Sequence, residues 1–295
     1  MFKHSQICLV VASLYILVVI MSTIKAVPFI SDISNNICCP FFNKAGQLHA
    51  LLQESGEIIT INDSKQVKKI HTTGGQPSGA AFDQNGVLYV TDFAHGAVLA
   101  VQDNGEQEVI VGTYEDKPLI GPNSIIYASN GNVFFTDSGP FGETGLHNKT
   151  GSLFMVSNGG SAQMLRPVSL ENLASPSGVA ISPDGKFVYV AEMMTNRILR
   201  FFQKPDGVYH ASVYYQLQGR VGPTAIVCDK QGCLYIGHYD TVSSCTEGHV
   251  LVLSKTGKLM STIVTTGPEI SGLAIQGNTL YITEVSTGSV FKVDL

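Results

Sequence analysis

Six small polar residues occupy one repeated place in this chain: Cys38, Ser78, Asn123, Ser177, Thr224 and Ser271. A second set closes the apolar segment that follows each of them: Leu52, Asp92, Asp137, Glu192, His238 and Glu284. Hydroxyls and an amide gathered at one point can hydrogen-bond a polar ligand, and the Asn123 amide oxygen can ligate a hard cation. Carboxylates and a histidine at the neighbouring positions can move protons. His238, beside Tyr239 and Asp240, has the makings of a general base with an orienting carboxylate. A structural account competes for each group. Serine or threonine at a strand start bonds nearby backbone, and aspartate at the end of VTD or FTD caps a turn.

The elements that must position these groups are legible as a repeat. In the stretch QPSGAAFDQNGVLYVTD, Ser78 precedes a turn glycine, Gly86, by eight residues. The same offset links Cys38 to Gly46, Asn123 to Gly131, Ser177 to Gly185 and Thr224 to Gly232, with a shorter copy running from Ser271 to Gly277. Successive starts are 40, 45, 54, 47 and 47 residues apart, which is the length of a propeller blade. After each glycine comes an alternating β-branched and aromatic run, such as VLYVTD, NVFFTD or NTLYITE, and then a third strand, such as GSLFMV or GSVFKV. A weaker fourth strand fits most copies. The pattern predicts an all-β, six-bladed β-propeller with four antiparallel strands per blade. Two separate β domains are the other arrangement, but no linker-like segment divides the chain.

In such a ring the first strand of each blade lines the central channel. The start of that strand and the end of the second share one face. Most loops on that face are tight, but 138–150 and 239–248 are long, and function concentrates in such loops. The channel-lining expectation therefore covers Cys38, Ser78, Ser177, Thr224 and Ser271 together with Asn123.

The N-terminus reads separately. Residues 7–21 form an apolar run of 15 residues, shorter than the about 20 that span a bilayer. Residues 1–26 are expected to be a signal peptide or an uncleaved signal anchor, with 27–295 as the propeller. The expected location is secreted or in the endomembrane lumen, with the cytoplasm as the alternative if translation starts at Met21. A membrane is expected as a partner only through an uncleaved N-terminal segment. Beyond Cys8 there are five cysteines, an odd number, and Cys228 and Cys233 flank the turn DKQG as a disulfide or as two packed thiols. Asn62-Asp63-Ser64 and Asn148-Lys149-Thr150 are glycosylation sequons. The net charge of −5, with no Lys/Arg cluster, argues against a nucleic-acid partner, and the expected partner is a small-molecule ligand in the channel.

GPNSIIYASNGNVFFTDSGPFGETG (121–145) with GSLFMV (151–156), and SPSGVAISPDGKFVYVAEMMTNRILRF (175–201), resemble the gluconolactonase, senescence-marker-protein and luciferin-regenerating-enzyme superfamily. Strictosidine-synthase-like proteins share much of the pattern. The resemblance implies a six-bladed propeller that hydrolyses a small lactone or ester, with Ca²⁺ or another divalent cation polarising the carbonyl or activating water. Carried onto this chain, Asn123 matches the asparagine of the GPN-type motif. The other expected ligand positions fall at Cys38, Ser177 and Thr224, which differ in kind. In the hydrolase reading Asn123 binds the cation, helped by Asp137 or Glu192, and His238 handles protons. A non-enzymatic binding module with a degraded metal site is the alternative. A strictosidine-synthase-like lyase, with Glu192 as its acid, is a further one.

Overall fold

The computed structural model describes residues 22–102, 104–139, 143–158, 163–219, 221–242 and 244–295, and for residues 158 and 163 the backbone alone. The apolar run 7–21 lies outside the described residues, and with it the signal or anchor expectation. Among the described residues the chain forms six sheets, each built on four antiparallel strands and one of them carrying a fifth, together with a short two-stranded ribbon at Thr113–Tyr114 and Lys117–Pro118. The six-bladed arrangement predicted from the repeat is the one observed.

Local chemistry sets each hairpin. The repeated glycines Gly46, Gly86, Gly131, Gly185, Gly232 and Gly277 all have positive φ, from 63° to 93°. That left-handed region costs glycine little and costs other residues a Cβ clash. In blade two, Asp83 Oδ1 accepts the N–H groups of Asn85 and Val87 at 2.7 and 2.8 Å, closing the turn from its side chain.

The first strands of the blades are Ile37–Phe42, Pro77–Phe82, Pro122–Tyr127, Pro176–Ile181, Gly222–Cys228 and Ile270–Gln276. Each packs against the next, and the sixth packs against the first, so they encircle one axis. Between neighbouring blades lies an apolar cluster, six in all among the described residues. Phe135, Phe201 and Phe291 are fully buried in these seams. Burying such a side chain contributes about 1.5–3 kcal/mol.

Closure uses the N-terminal segment. Val27–Ile30 pairs antiparallel with Ser289–Asp294 and supplies the outer strand of blade six. Ser22–Lys25 pairs in parallel with Leu259–Thr266 and adds a fifth strand to blade five. The expected boundary between residues 26 and 27 falls between these two strands. The outer edge of blade five has unpaired backbone groups to offer, and Ser22–Lys25 takes them.

Cys38, Cys39, Cys228, Cys233 and Cys245 are free thiols. The disulfide option for Cys228 and Cys233 is not taken, because the hairpin register places Cys228 opposite Leu234 and leaves Cys233 out of register with it.

Candidate functional site

In every blade the pairing of first and second strands breaks beside the repeated polar residue. The breaks fall between Cys38 and Phe41, Pro77 and Gly79, Pro122 and Ile125, Pro176 and Val179, Pro223 and Ala225, and Ile270 and Gly272. A bulge of this kind re-aims a side chain out of the regular alternation. Here it aims most of them sideways. The Ser177 hydroxyl donates to Pro223 O at 2.9 Å, Thr224 to Ile270 O at 2.6 Å, and Ser271 to Ile37 O at 2.7 Å. Cys38 Sγ lies 3.9 Å from Pro77 O in the same relation. The acceptor is in each case the residue just before the next blade's repeated position.

Two positions break the rule, and they are neighbours. Ser78 accepts from Gln53 Nε2 at 3.3 Å and donates to Gln76 O at 3.4 Å, within its own side of the ring. The Asn123 side chain takes no hydrogen bond among the described residues. Pro176 O, the acceptor its position would reach, is held by Ser138 Oγ at 2.7 Å. The two first strands meet closely here. The Asn123 carbonyl lies where a Cβ on Gly79 would stand, and it accepts from Thr91 Oγ1 at 2.5 Å.

The acids at the ends of the second strands turn inward to the backbone. Asp92, Glu192 and Glu284 are 0% exposed and Asp137 is 3% exposed. Each accepts an N–H from the chain entering its own blade: Gln76 at 2.9 Å, Gly121 at 2.5 Å, Ala174 at 2.8 Å and Glu269 at 3.0 Å. Glu192 also takes Thr195 Oγ1 at 2.5 Å and the Arg197 guanidinium. Glu284 takes the N–H and hydroxyl groups of Ser286 and Thr287. Blade one has Leu52 at this place and blade five has His238.

Two of these acids are shifted in opposite directions because their donors differ. Burial pushes the Asp92 carboxyl up, but Thr73, the N–H groups of Gln76 and His95 and the His95 ring more than offset it, so it ends below the usual range. Burial pushes Asp137 up to about 6, and the N–H groups of Ile120 and Gly121 counter it only in part. Asp137 sits opposite Pro122 in the ladder, next in sequence to Asn123.

The remaining candidate, His238, stands opposite Pro223 and His249, with its ring against Gly219. Its sequence neighbours make contacts of their own. The Tyr239 hydroxyl donates to Glu269 Oε2 at 3.0 Å, and Asp240 accepts from Val242 N at 3.0 Å and from Cys245 Sγ at 3.4 Å.

These residues do not fit a divalent-cation site. Calcium takes about six to eight oxygens, with carboxylates setting its affinity. Ser177 and Thr224 spend their hydroxyls on the next blade, Cys38 offers a buried thiol, and Asn123 alone of the expected ligands is uncommitted. Among the described residues no group of three or more His, Cys, Asp or Glu side chains is placed to hold a metal. The Asn123 amide alone is a poor match for the Ca²⁺ site that the resemblance implies, and no step is routed through such an ion.

Some contributors escaped the sequence reading. Gln53 reaches Ser78 from the residue after Leu52. Thr91, Thr136 and Thr283 bond the ring from the second strands, Thr136 donating to Ser177 O at 2.6 Å and Thr283 pairing with Ser271 at 3.0 Å. The repeated dipeptides Thr-Asp, Thr-Asp and Thr-Glu carried that signal.

Known proteins can be set beside this geometry. The family model described as SMP-30/Gluconolactonase/LRE-like region matches residues 45–286. The chain is 28% identical over 237 residues to a lactonase, drp35, from Staphylococcus epidermidis, covering 77% of this chain and 68% of that protein. Among solved structures, regucalcin from Agrobacterium tumefaciens, described as a calcium-binding protein, superposes with a TM-score of 0.77 at 18% identity, covering 92% of this chain and 95% of that one. A gluconolactonase from Xanthomonas campestris superposes with a TM-score of 0.76 at 21% identity, covering 90% and 87%. These superpositions show a shared fold.

Proposed function

Because this chain belongs to the SMP-30/gluconolactonase/LRE-like family, we propose that it hydrolyses a small lactone or related ester at the mouth of its channel. Asn123 carries the reading. It is a ring-position amide with no intramolecular bond among the described residues, in the same blade as Asp137, whose carboxyl burial pushes up to about 6. The lactonases among its relatives support the reaction class.

The chemistry assigned to this chain's own residues is simple. The Asn123 amide N–H donates to the carbonyl oxygen of the ester, and the bond strengthens as negative charge develops there. Asp137, ionised above about pH 6, takes a proton from the attacking water. Ser78 and Gln53 hold polar groups of the substrate on the adjoining blade. Glu192 is given no part, since its oxygens are held by Ala174 N, Thr195 and Arg197. The lyase reading loses its acid for the same reason.

The test is turnover on a panel of small lactones and aryl esters. Losing an oxyanion donor costs about 10²–10³ in kcat. Asn123→Ala is expected to lose that much with its melting temperature unchanged. Full activity in that variant overturns the assignment. A second reading, a non-enzymatic binding module, is favoured by one observation: most ring and acid groups are committed to backbone. Saturable stabilisation by a lactone that is never turned over supports it. A secreted or lumenal location belongs to both readings, and the two sequon residues, Asn62 and Asn148, are exposed as glycan acceptors must be.

A further inference from the structure

We infer that the ring in this chain is closed by side-chain clasps between blades instead of by a shared cation, so that its stability and ligand binding are independent of divalent metal. The inference concerns the same site as the proposed hydrolase but does not need that activity to be real.

The argument starts from what a ring-bound cation would have to do. It would draw oxygens from several blades to one point on the axis, and each blade would then hold its neighbours through the metal. Here the same positions carry neutral side chains, which bring a cation none of the carboxylate charge that sets its affinity, and the hydroxyls of Ser177, Thr224 and Ser271 are turned toward carbonyls of the next blade. Ser177 reaches blade five through Pro223 O at 2.9 Å. Thr224 reaches blade six through Ile270 O at 2.6 Å. Ser271 returns to blade one through Ile37 O at 2.7 Å, and Cys38 continues toward blade two at Pro77 O, 3.9 Å away. Four consecutive blade junctions, from four-to-five round to one-to-two, thus carry the same side-chain-to-carbonyl contact in the same register.

A second tier backs it. Thr136 donates to Ser177 O at 2.6 Å and Thr91 to Asn123 O at 2.5 Å, which covers the two junctions the first tier leaves out. Ser138 closes on Pro176 O at 2.7 Å. Every junction of the ring therefore has a donor on one side and a backbone acceptor on the other. Turning Ser177, Thr224 and Ser271 inward toward a metal would strand Pro223 O, Ile270 O and Ile37 O in the packed seams, a cost that falls on the metal-bound form alone. The acids that could supply compensating charge are held elsewhere. Glu192 and Glu284 each meet several donors away from the ring. Apart from the Asp137 carboxyl that the hydrolase reading uses, what remains open to a ligand is neutral: the Asn123 amide and the Ser78 hydroxyl with Gln53.

The experiment follows melting of the full chain in EDTA and in millimolar calcium, manganese or zinc chloride. The expected result is one melting temperature in all of them. A saturable rise of several degrees with any of these ions, abolished in Asn123→Ala, overturns the inference. Thr224→Val removes one clasp at nearly constant volume and is expected to lower melting by about 2–4 °C, equally with and without metal. A loss confined to the metal-containing samples overturns it as well. Should Thr224→Val fold poorly, Ser177→Ala gives the same comparison at a different junction. Because these readouts need no turnover, a chain inactive on every lactone but indifferent to metal sinks the hydrolase reading and supports this one. Turnover that is abolished by EDTA and restored by one of these ions overturns this one and supports the hydrolase.

Discussion

The Ser271 hydroxyl donates to the carbonyl oxygen of Ile37 at 2.7 Å, joining the last blade to the first across 234 positions of sequence. The same hydroxyl lies 3.0 Å from Thr283 Oγ1, so it is held from both strands of its blade. Ser271→Ala removes the bond and leaves a seam carbonyl unpaired. The expected loss is about 1–2 kcal/mol. Urea midpoints of the two proteins check it, and equal midpoints would show that the contact contributes nothing to closure.

The N-terminal strap makes a length-dependent prediction. A chain starting at Val27, as cleavage after Ala26 would leave it, keeps the outer strand of blade six and loses only the strand on blade five. A chain starting at Ser31 also loses Phe29 and Ile30, which pack in the seam between blades six and one, where Phe29 meets Tyr281 edge-on at 5.8 Å. It exposes the edge of Ser289–Asp294 as well. The first truncation is expected to melt close to the full chain, and the second to be weaker by more than about 3 kcal/mol. Similar denaturation curves for both would refute a closing role for Val27–Ile30.

Asp137 sets a pH dependence. Its carboxyl is pushed up to about 6 by burial, above the ordinary value of 3.8. Between these values the folded chain holds a proton that the unfolded chain has released. Stability from this group is therefore fully present below about pH 3.8 and is lost as pH rises through 6. The shift corresponds to about 2–3 kcal/mol. Asp137→Asn keeps an acceptor for the N–H groups of Ile120 and Gly121 without the buried charge. It is expected to be more stable than the parent at pH 7–8, to lose the slope between pH 4 and 6, and to lose lactone turnover. Parallel stability profiles for the two proteins would exclude Asp137 as the titrating group.

Glu284 gives the opposite outcome to the same kind of change. Its Oε1 accepts from Glu269 N, Ser286 N and Ser286 Oγ, and its Oε2 from Thr287 N and Thr287 Oγ1. Every contact is a donor, so Glu284→Gln turns an amide NH₂ against N–H groups. The expected loss is about 1–3 kcal/mol, measured by denaturant unfolding at pH 7. A neutral or stabilising result would mean that the carboxylate is not the acceptor described.

The repeat itself was legible in the chain. A glycine at a constant offset marks a left-handed turn that other residues enter at a steric cost, and the alternating runs after it can only pair as strands. Six copies of that unit imply a ring, because a single blade cannot bury both of its faces. The bland account of Asp92 and Glu284 as turn caps was legible too, from where they end their strands. The direction of the ring side chains was not. Alternation has a period of two, and a bulge beside Ser177, Thr224 or Ser271 overrides it with a local backbone change that residue type does not encode. Whether a hydroxyl faces the axis or the next blade then depends on a carbonyl about 46 residues away, or 234 at the closing junction. Only closure of the ring puts that carbonyl within reach. The Asn123 amide and the family resemblance suggested a cation, while the assembled blades turn the hydroxyls of Ser177, Thr224 and Ser271 toward backbone carbonyls and leave the Asn123 amide uncommitted among the described residues.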